Sequence, residues 1–150
     1  MTLAKALKGK SLLIKIGDGA DPEVFAQPCS INSDRGIVFT AETNQTRVPD
    51  CDDPELIGWF RREKTAKGAT INGAGTLHTP DLEDLFDFFN SEDSRNLQVK
   101  LNGVAGADGG GHFAGAFLCT GLEVTGTVGE YTQVSISLES DGAVSWVDAA

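Results

Sequence analysis

Residue type alternates with a period of two along the C-terminal part of the chain, between residues 120 and 141. In the second half of this segment Val134, Ile136 and Leu138 alternate with polar or charged neighbours. Such alternation is typical of a β-strand with one buried face and one solvated face. Two glycines bracket the middle of the segment, where their backbone freedom favours a tight turn. The pattern therefore predicts a β-hairpin with one apolar and one polar face.

Shorter segments of similar character precede this hairpin. They predict strands near residues 10–16, 24–31, 36–44, 67–77 and 97–102, followed by a glycine-rich loop and a strand from residue 112. The fold class expected is mainly β: a β-sandwich or open barrel of about eight strands with a single helix. A chain of 150 residues is expected to form one domain, residues 1–150, in which residues 1–9 are a possible flexible arm.

One segment, residues 79–91, has the periodicity of a helix. Thr79 is expected to be its N-cap and Pro80 its first helical residue. Acidic residues follow, where they complement the positive end of the helix dipole. The apolar residues fall at spacings i, i+3, i+4 and i+7, which predicts a buried stripe of Leu82, Leu85, Phe86 and Phe89.

Between residues 45 and 67 the periodicity disappears, and two prolines interrupt the segment. The sequence predicts a long loop here, and long loops inside compact domains are usually functional. Acids come first, then an apolar centre, then bases, a composition that favours an intersubunit contact. The contact candidates are Asp50, Asp52, Asp53, Glu55, Leu56, Ile57, Trp59, Phe60, Arg61, Arg62 and Lys64. For Trp59 and Phe60 two interpretations remain open, as core residues of their own domain or as anchors in a neighbour.

The charge is strongly acidic and unevenly distributed. Twelve Lys and Arg against 22 Asp and Glu give a formal net charge of -10, which argues against a surface that grips nucleic acid. The N-terminal segment is nevertheless basic, and no Lys or Arg follows Lys100. Lys5 and Lys8 are therefore further contact candidates, expected either in a disordered arm or docked on an acidic neighbour.

No catalytic, cofactor or metal signature is evident. The loop GADGGGH lacks the Lys-Ser/Thr of a phosphate-binding loop, and His78 and His112 have no adjacent nucleophile. The acidic run DCDDPE lacks the ligand spacing of a calcium loop, and the three cysteines lack zinc spacing. We expect neither an enzyme nor a cofactor. Odd, widely spaced cysteines suit free thiols in a reducing cytoplasm, and no segment is apolar enough to span a membrane.

Six segments between residues 10 and 147 give the chain a resemblance to a known family. They are KSLLIKIGD, SDRGIVFTAETN with the following loop and Trp59, ATINGAGTLH, NLQVKLNG, HFAGAFLCTGLEVTG and GEYTQVSISLESDGAVSW. In this order, with a helix after the third, the segments resemble the major tail tube proteins of long-tailed, non-contractile bacteriophages and of related gene transfer agents. The closing block is the most specific of the six.

The resemblance implies a structural virion protein that is made in the bacterial cytoplasm and becomes part of the tail. Subunits would join into a ring-shaped β-barrel, and hexameric rings would stack into a hollow conduit for DNA. The implied partners are other copies of the chain, a tape measure protein inside the tube, and tail terminator and distal tail or baseplate proteins at its ends. DNA would pass without specific binding.

One polar sheet face would line the lumen of such a tube. The candidates are the polar positions of the predicted strands, Thr70, Asn72, Thr76, Glu123, Thr125, Gln133, Ser135, Ser137 and Glu139. Two alternatives stay open. One is a β-sandwich binding or decoration module of a virion, and the other is the inner-tube protein of a contractile injection or type VI secretion system.

Overall fold

The computed structural model describes residues 2–20 and 22–149. Within these ranges the chain forms one α-helix, two short 3₁₀ turns and eight strands, which belong to a single antiparallel sheet. The strands are β1 (Leu12–Gly17), β2 (Phe25–Ala26), β3 (Asp34–Val48), β4 (Trp59–Thr76), β5 (Arg95–Leu101), β6 (Gly111–Thr125), β7 (Gln133–Ser140) and β8 (Ser145–Asp148), and the helix α1 is Thr79–Asn90. The strand order is β2-β1-β5-β6-β7-β4-β3, with β8 paired to β6.

Strand β6 divides the sheet into two halves. Its first half pairs with β5 and β8, and its second half pairs with β7. Phe117 lies at the change of partners, opposite Arg95 on one side and Ser140 on the other. The halves enclose a single core of apolar residues from β1, β4, β5, β6, β7 and α1. This arrangement confirms the expected fold class, since the folded sheet has the layers of a sandwich.

Arg35 links the two outer ends of the folded sheet. Its guanidinium donates hydrogen bonds to the carbonyl oxygens of Lys10 and Leu12, at 3.0 and 2.9 Å, and of Ile31 at 3.1 Å. Hydrogen bonds from a charged donor are stronger than neutral ones. The start of β3 is thereby tied to the start of β1, which gives the sandwich the character of a partly closed barrel.

Helix α1 was expected at residues 79–91, and it spans Thr79–Asn90. Its predicted cap was wrong: the N-cap is His78, and Thr79 is already helical. The reason lies in Ser30, a buried hydroxyl that accepts a hydrogen bond from the His78 N–H at 3.0 Å. Ser30 also donates to the Asp81 carboxylate at 3.2 Å. A residue distant in sequence therefore fixes where the helix begins.

The predicted apolar stripe of the helix was also partly wrong. Leu85 and Phe88 are buried, whereas Phe86 and Phe89 are exposed. The helix packs mainly on β6, and the Arg95 guanidinium lies 4.8 Å from the centre of the Phe88 ring. Phe86, Phe88 and Phe89 lie within four positions, so the helix has two possible apolar stripes. Spacing alone does not decide which of the two stripes faces the sheet.

The small residues of β4 make room for the segment before β3. A Cβ atom on Gly73 would stand 2.8 Å from Cγ2 of the buried Ile31, and one on Gly75 would stand 2.5 Å from the Ser30 carbonyl oxygen. Side chains at these two positions would push the segment off the strand. The glycines therefore bring Ser30 to the start of the helix.

The long loop predicted for residues 45–67 was wrong. Strand β3 continues to Val48 and β4 begins at Trp59, so that only residues 49–58 connect them. Residues 40–67 are exposed on both sides of this two-stranded ribbon, apart from the half-buried Gly58. A strand that buries neither face has no need of apolar alternation, which is why the pattern disappears there.

The expected number of strands is confirmed, although two of them were assigned differently. Two predicted strands after residue 112 form the single strand β6, which continues through a bulge between Cys119 and Gly121. Strand β8, which the ring of Trp146 anchors, was not predicted from the sequence. This ring packs edge-on against Phe113, with centroids 4.9 Å apart.

We predict that Phe88→Ala lowers the free energy of unfolding by about 3 to 5 kcal/mol, because it opens a cavity in the core. Phe86→Ala, two positions away on the same helix, should cost under about 1 kcal/mol because this side chain is exposed. Urea denaturation of both variants checks the difference. A larger loss from Phe86→Ala than from Phe88→Ala would show that the helix buries the other stripe.

Candidate assembly surfaces

The outward-facing residues of β4, β6 and β7 form one continuous polar face. Asn72 lies opposite Ser137, whose hydroxyl donates to its Oδ1 at 3.2 Å, and Thr76 lies opposite Gln133, whose amide donates to its Oγ1 at 3.4 Å. All the polar positions proposed from the sequence meet on this surface: Thr70, Asn72, Thr76, Glu123, Thr125, Gln133, Ser135, Ser137 and Glu139. We call it the polar face. It extends onto β3 through Val38, which pairs with Thr70.

The polar face carries acids without bases. The strand segments that form it are residues 34–42, 66–76, 118–125 and 133–140, and the bases within them are Arg35 and Lys67. Both lie on the opposite side of the sheet, because Arg35 pairs with Gly73 and Lys67 pairs with Ala41, and neither partner belongs to the polar face. The acids on the polar face are Asp34, Glu42, Glu123 and Glu139. A surface of this composition repels phosphate groups.

The β3–β4 ribbon projects beyond the sheet. Strand β4 pairs with β7 only along residues 70–76, and the rest of β4 pairs with β3 alone. We call residues 43–64 the arm. At about 3.3 Å per residue, Trp59 lies about 35 Å along the strand from Thr70. An isolated two-stranded ribbon is marginally stable in water.

The two sides of the arm differ in charge. The register shifts between Glu42 and Thr43, and beyond the shift Gln45 pairs with Arg62 and Arg47 with Phe60. Paired residues share a side, so one side of the ribbon carries only basic charge: Arg47, Arg62, Lys64 and, just below the arm, Lys67. The opposite side carries Arg61, Glu63 and Trp59 and continues the polar face. Within residues 2–20 and 22–149 none of the four basic side chains forms an ion pair.

The predicted contact candidates of the former loop all lie in the arm. Ile57 is 94% exposed and Trp59 86%, and Leu56 and Phe60 are exposed as well. The interpretation of Trp59 and Phe60 as core residues of their own subunit was therefore wrong. The acids Asp50, Asp52, Asp53 and Glu55 lie in the connection between the strands, where the Asp50 and Asp53 carboxylates accept backbone hydrogen bonds two residues on. These bonds shape the tip without burying any of it.

The basic N-terminal segment lies against its own chain. Lys5 Nζ is 2.7 Å from Asp108 Oδ1, and both side chains are largely exposed. Exposed ion pairs of this kind contribute little to stability. Lys8 is exposed just before the first 3₁₀ turn and is not drawn into this contact. The structure thus separates the two N-terminal candidates from those of the arm.

A second exposed apolar site, not predicted from the sequence, lies in the turn between β6 and β7. Residues 126–132 connect β6 to β7, and within this turn Val128 is fully exposed and Tyr131 is 82% exposed. The Leu77 N–H donates to the Thr132 carbonyl at 2.9 Å, which places the turn beside the C-terminal end of β4, opposite the arm. The presence of two large apolar residues inside a glycine-flanked turn was the signal that could have predicted this exposed site.

A cleft of about 600 Å³ lies between the β1–β2 connection and helix α1. Its polar groups are engaged locally: Asn96 donates to Glu23 at 3.0 Å, and Asp18 accepts the N–H groups of Ala20 and Val24. These backbone donors lower the pKa of Asp18. Among the described residues no group of three or more His, Cys, Asp and Glu could hold a metal ion.

The cysteines in the described ranges are free thiols. Cys29 and Cys51 are exposed, whereas burial raises the pKa of the Cys119 thiol. A thiol with a raised pKa holds less of the reactive thiolate at neutral pH. Cys51 lies at the arm tip, so it is an accessible chemical handle on that surface.

Solved structures with the same fold define the class of protein. The chain resembles the tail of an empty gene transfer agent particle determined with C6 symmetry, with 24% identity and a TM-score of 0.74 over 95% of this chain and 99% of that one. It also resembles the SPP1 tail tube, with 12% identity and a TM-score of 0.67 over 95% and 80% of the two chains. The anti-feeding prophage tube-terminating cap has the fold too, with 12% identity and a TM-score of 0.65 over 99% and 95%.

The fold is thus that of tail tube proteins. The chain belongs to the phage tail tube protein family, whose sequence model matches residues 6–146. This membership confirms the resemblance seen in the sequence and identifies the protein as a structural component of a phage-type tail. No curated protein matches the chain. Helix α1, the helix in the described part of the chain, is too short to cross a membrane.

We predict that the subunit folds without its arm. Removing residues 45–62 and joining Asn44 to Glu63 through an Asn-Gly turn leaves the paired strands below intact. The deleted side chains are exposed, so the free energy of unfolding should change by under about 1 kcal/mol. Chemical denaturation against the full-length chain measures this change. A loss comparable to that of a core substitution would mean that the arm supports its own subunit.

Proposed function

We propose that this protein is the major tube subunit of a phage-type tail, and that its hexameric rings stack into a hollow conduit for DNA. The observation that carries the proposal is the polar face, which is continuous, hydrogen-bonded across its strands and free of bases. The C6 symmetry of the related gene transfer agent tail supports the sixfold ring. The particle would be a phage or a gene transfer agent.

The free edges of the sheet supply the contacts within a ring. Strand β3 forms one edge, and residues 118–125 of β6 are paired with β7 on one side only. Exposed edges of this length invite pairing with another chain. If β3 of one copy pairs with the second half of β6 of the next, four strands from each of six subunits close into one barrel with the polar faces inside.

The chemistry of such a lumen suits the passage of DNA. Protein affinity for DNA comes mainly from Lys and Arg that neutralise phosphates. A wall of hydroxyl, amide and carboxylate groups offers no such neutralisation, so the duplex slides without being held. In this proposal a tape measure protein occupies the lumen before DNA does, and terminator and distal tail or baseplate proteins cap the ends.

An inner tube of a contractile system is the second candidate function. The specific observation in its favour is the shared fold with contractile injection systems, including an extended sheath–tube complex at 14% identity and a TM-score of 0.57. The polar face would serve a contractile tube equally well. What distinguishes the two is a surrounding sheath, which a non-contractile tail lacks.

Negative-stain electron microscopy of the purified protein at increasing concentration tests the proposal. We expect rings with sixfold symmetry and stacked tubes with a stain-filled lumen. Isolated particles at every concentration would contradict it and favour a binding or decoration module. Particles from producing cells then show whether the tube carries a contractile sheath.

We predict that Glu123→Lys combined with Glu139→Lys leaves assembly intact but slows DNA ejection, because two cations per subunit would then face the phosphates. Ejection is measured by DNA release from purified particles. Glu92→Lys with Asp93→Lys, beyond the helix end and off the polar face, is the control with equal charge. Unchanged ejection from assembled Glu123/Glu139 tails would show that the polar face does not line the lumen.

A further inference from the structure

The half of the sheet that bears the polar face leaves apolar side chains uncovered at both of its edges. Residues 118–125 of β6 form one edge, and β3 forms the other. At the β3 edge Phe39 is 50% exposed, although it pairs with the buried Ala69 and so faces the core. At the β6 edge Val124 is exposed, although it pairs with the buried Val134. In the described part of the chain the core is therefore open at both edges.

Helix α1 lies along the β6 edge. It begins just after Leu77, whose N–H bonds to the carbonyl of Thr132 next to the start of β7. It ends shortly before Arg95, which pairs with Phe117 of β6. The helix packs mainly on β6. It thus follows the second half of β6, the part that has one unpaired edge.

The two flanks of the helix have different surroundings. Asp84 faces the β1–β2 connection and forms an ion pair with Arg95 at 3.4 Å. Successive helical residues are rotated by about 100°, so Phe86 projects from the flank opposite Asp84, and Phe89 lies beside it. Both phenylalanine side chains are exposed. An aromatic flank of the helix is therefore free beside the unpaired edge of β6.

A cleft beside Phe39 has the size to receive one of these rings. It has a volume of about 150 Å³ and lies between the β3–β4 pair and the β7–β8 connection. Phe39 and Ala69 form its apolar wall, Lys67 lies at its border, and Ala143 and Val144 line the other side. An apolar cavity of about this volume can hold a benzene-sized ring. The cleft faces away from the polar face, as the exposed flank of the helix does.

Charge and distance both point to a second copy as the occupant. Glu83 and Asp87 flank Phe86 on the helix, whereas Lys67 borders the cleft, and in residues 2–20 and 22–149 none of these three charges forms an ion pair. Within one chain the helix flank cannot reach the cleft, because β7 and β4 separate the two sheet edges by about 14 Å. Pairing of β3 in one copy with β6 in the next places both surfaces on the same side of the joined sheet.

We propose that Phe86 of one subunit inserts into the cleft beside Phe39 of the adjacent subunit in the same ring. The inference rests on the proposed ring and names a side-chain contact that continues the core from one subunit to the next. An aromatic anchor in a fitted pocket, with opposite charges at its border, is typical of the residues that dominate an interface. The contact joins unlike edges, so it closes when the sixth copy meets the first.

Two substitutions outside the core test the contact. Phe86→Ala removes the inserted ring, and Ala143→Leu fills the cleft. We expect each to raise the protein concentration at which rings form by at least about tenfold, because truncating an interface anchor costs this much affinity. Val24→Ala, at an exposed apolar residue between β1 and β2, is the matched control and should assemble normally. Sedimentation velocity and negative-stain microscopy measure the assembly. Unchanged ring formation by Phe86→Ala would overturn the inference but leave the tube function standing.

Crosslinking shows which subunits are joined. In a background of Cys29→Ser and Cys51→Ser, which removes the exposed thiols of the described cysteines, Phe86→Cys and Ala143→Cys place one thiol on each surface. A short bis-maleimide applied to assembled rings should give a ladder on denaturing gels that stops at six chains. Phe86→Cys with Val24→Cys is the control with the same number of thiols.

Three results would contradict the contact within a ring. They are the absence of a ladder, a ladder no stronger than that of the control, and a ladder that continues beyond six chains. If the unaltered protein forms neither rings nor tubes, the proposed function fails and the inference fails with it.

Discussion

The change of partners along strand β6 is the constraint on which the fold depends. At Phe117 the strand leaves β5 and takes up β7, and a bulge between Cys119 and Gly121 follows at once. Bulges bend a strand and increase its twist. Because of this bend a single antiparallel sheet folds over its own core, and Phe117 is buried where the halves meet. The polar outer side of one half is thereby left free for another role.

Strand alternation was enough to predict that outer side. The register of β4, β6 and β7 brings the polar positions together, and a period of two fixes which residues share a face once the strands exist. The sequence could not supply the contacts made by distant residues. Ser30 sets the start of the helix, and packing on β6 selects Phe88 over Phe86. Both choices depend on tertiary neighbours that local periodicity does not contain.

In the arm, strands were predicted as a loop because their residues lack hydrophobic periodicity. Hydrophobic periodicity reports burial within the subunit, so a ribbon exposed on both sides resembles a loop. Trp59 and Phe60 suggested a contact, but their strand geometry did not appear in the pattern. The exposed turn at Val128 was not predicted for a related reason, since its glycines indicate only a tight connection. Both surfaces are exposed in the described part of the chain, so burial within the subunit leaves no pattern there.

In the proposed tube, folding and assembly therefore depend on separate residues. No large side chain of the arm contributes to the core, and the core residues of β4, Ala69 and Ile71, lie beyond the end of the arm. Substitutions in the arm consequently escape selection for subunit stability. In the proposed tube the arm can change while the fold stays intact, so two related tube proteins made in one cell can diverge until neither copolymerises with the other.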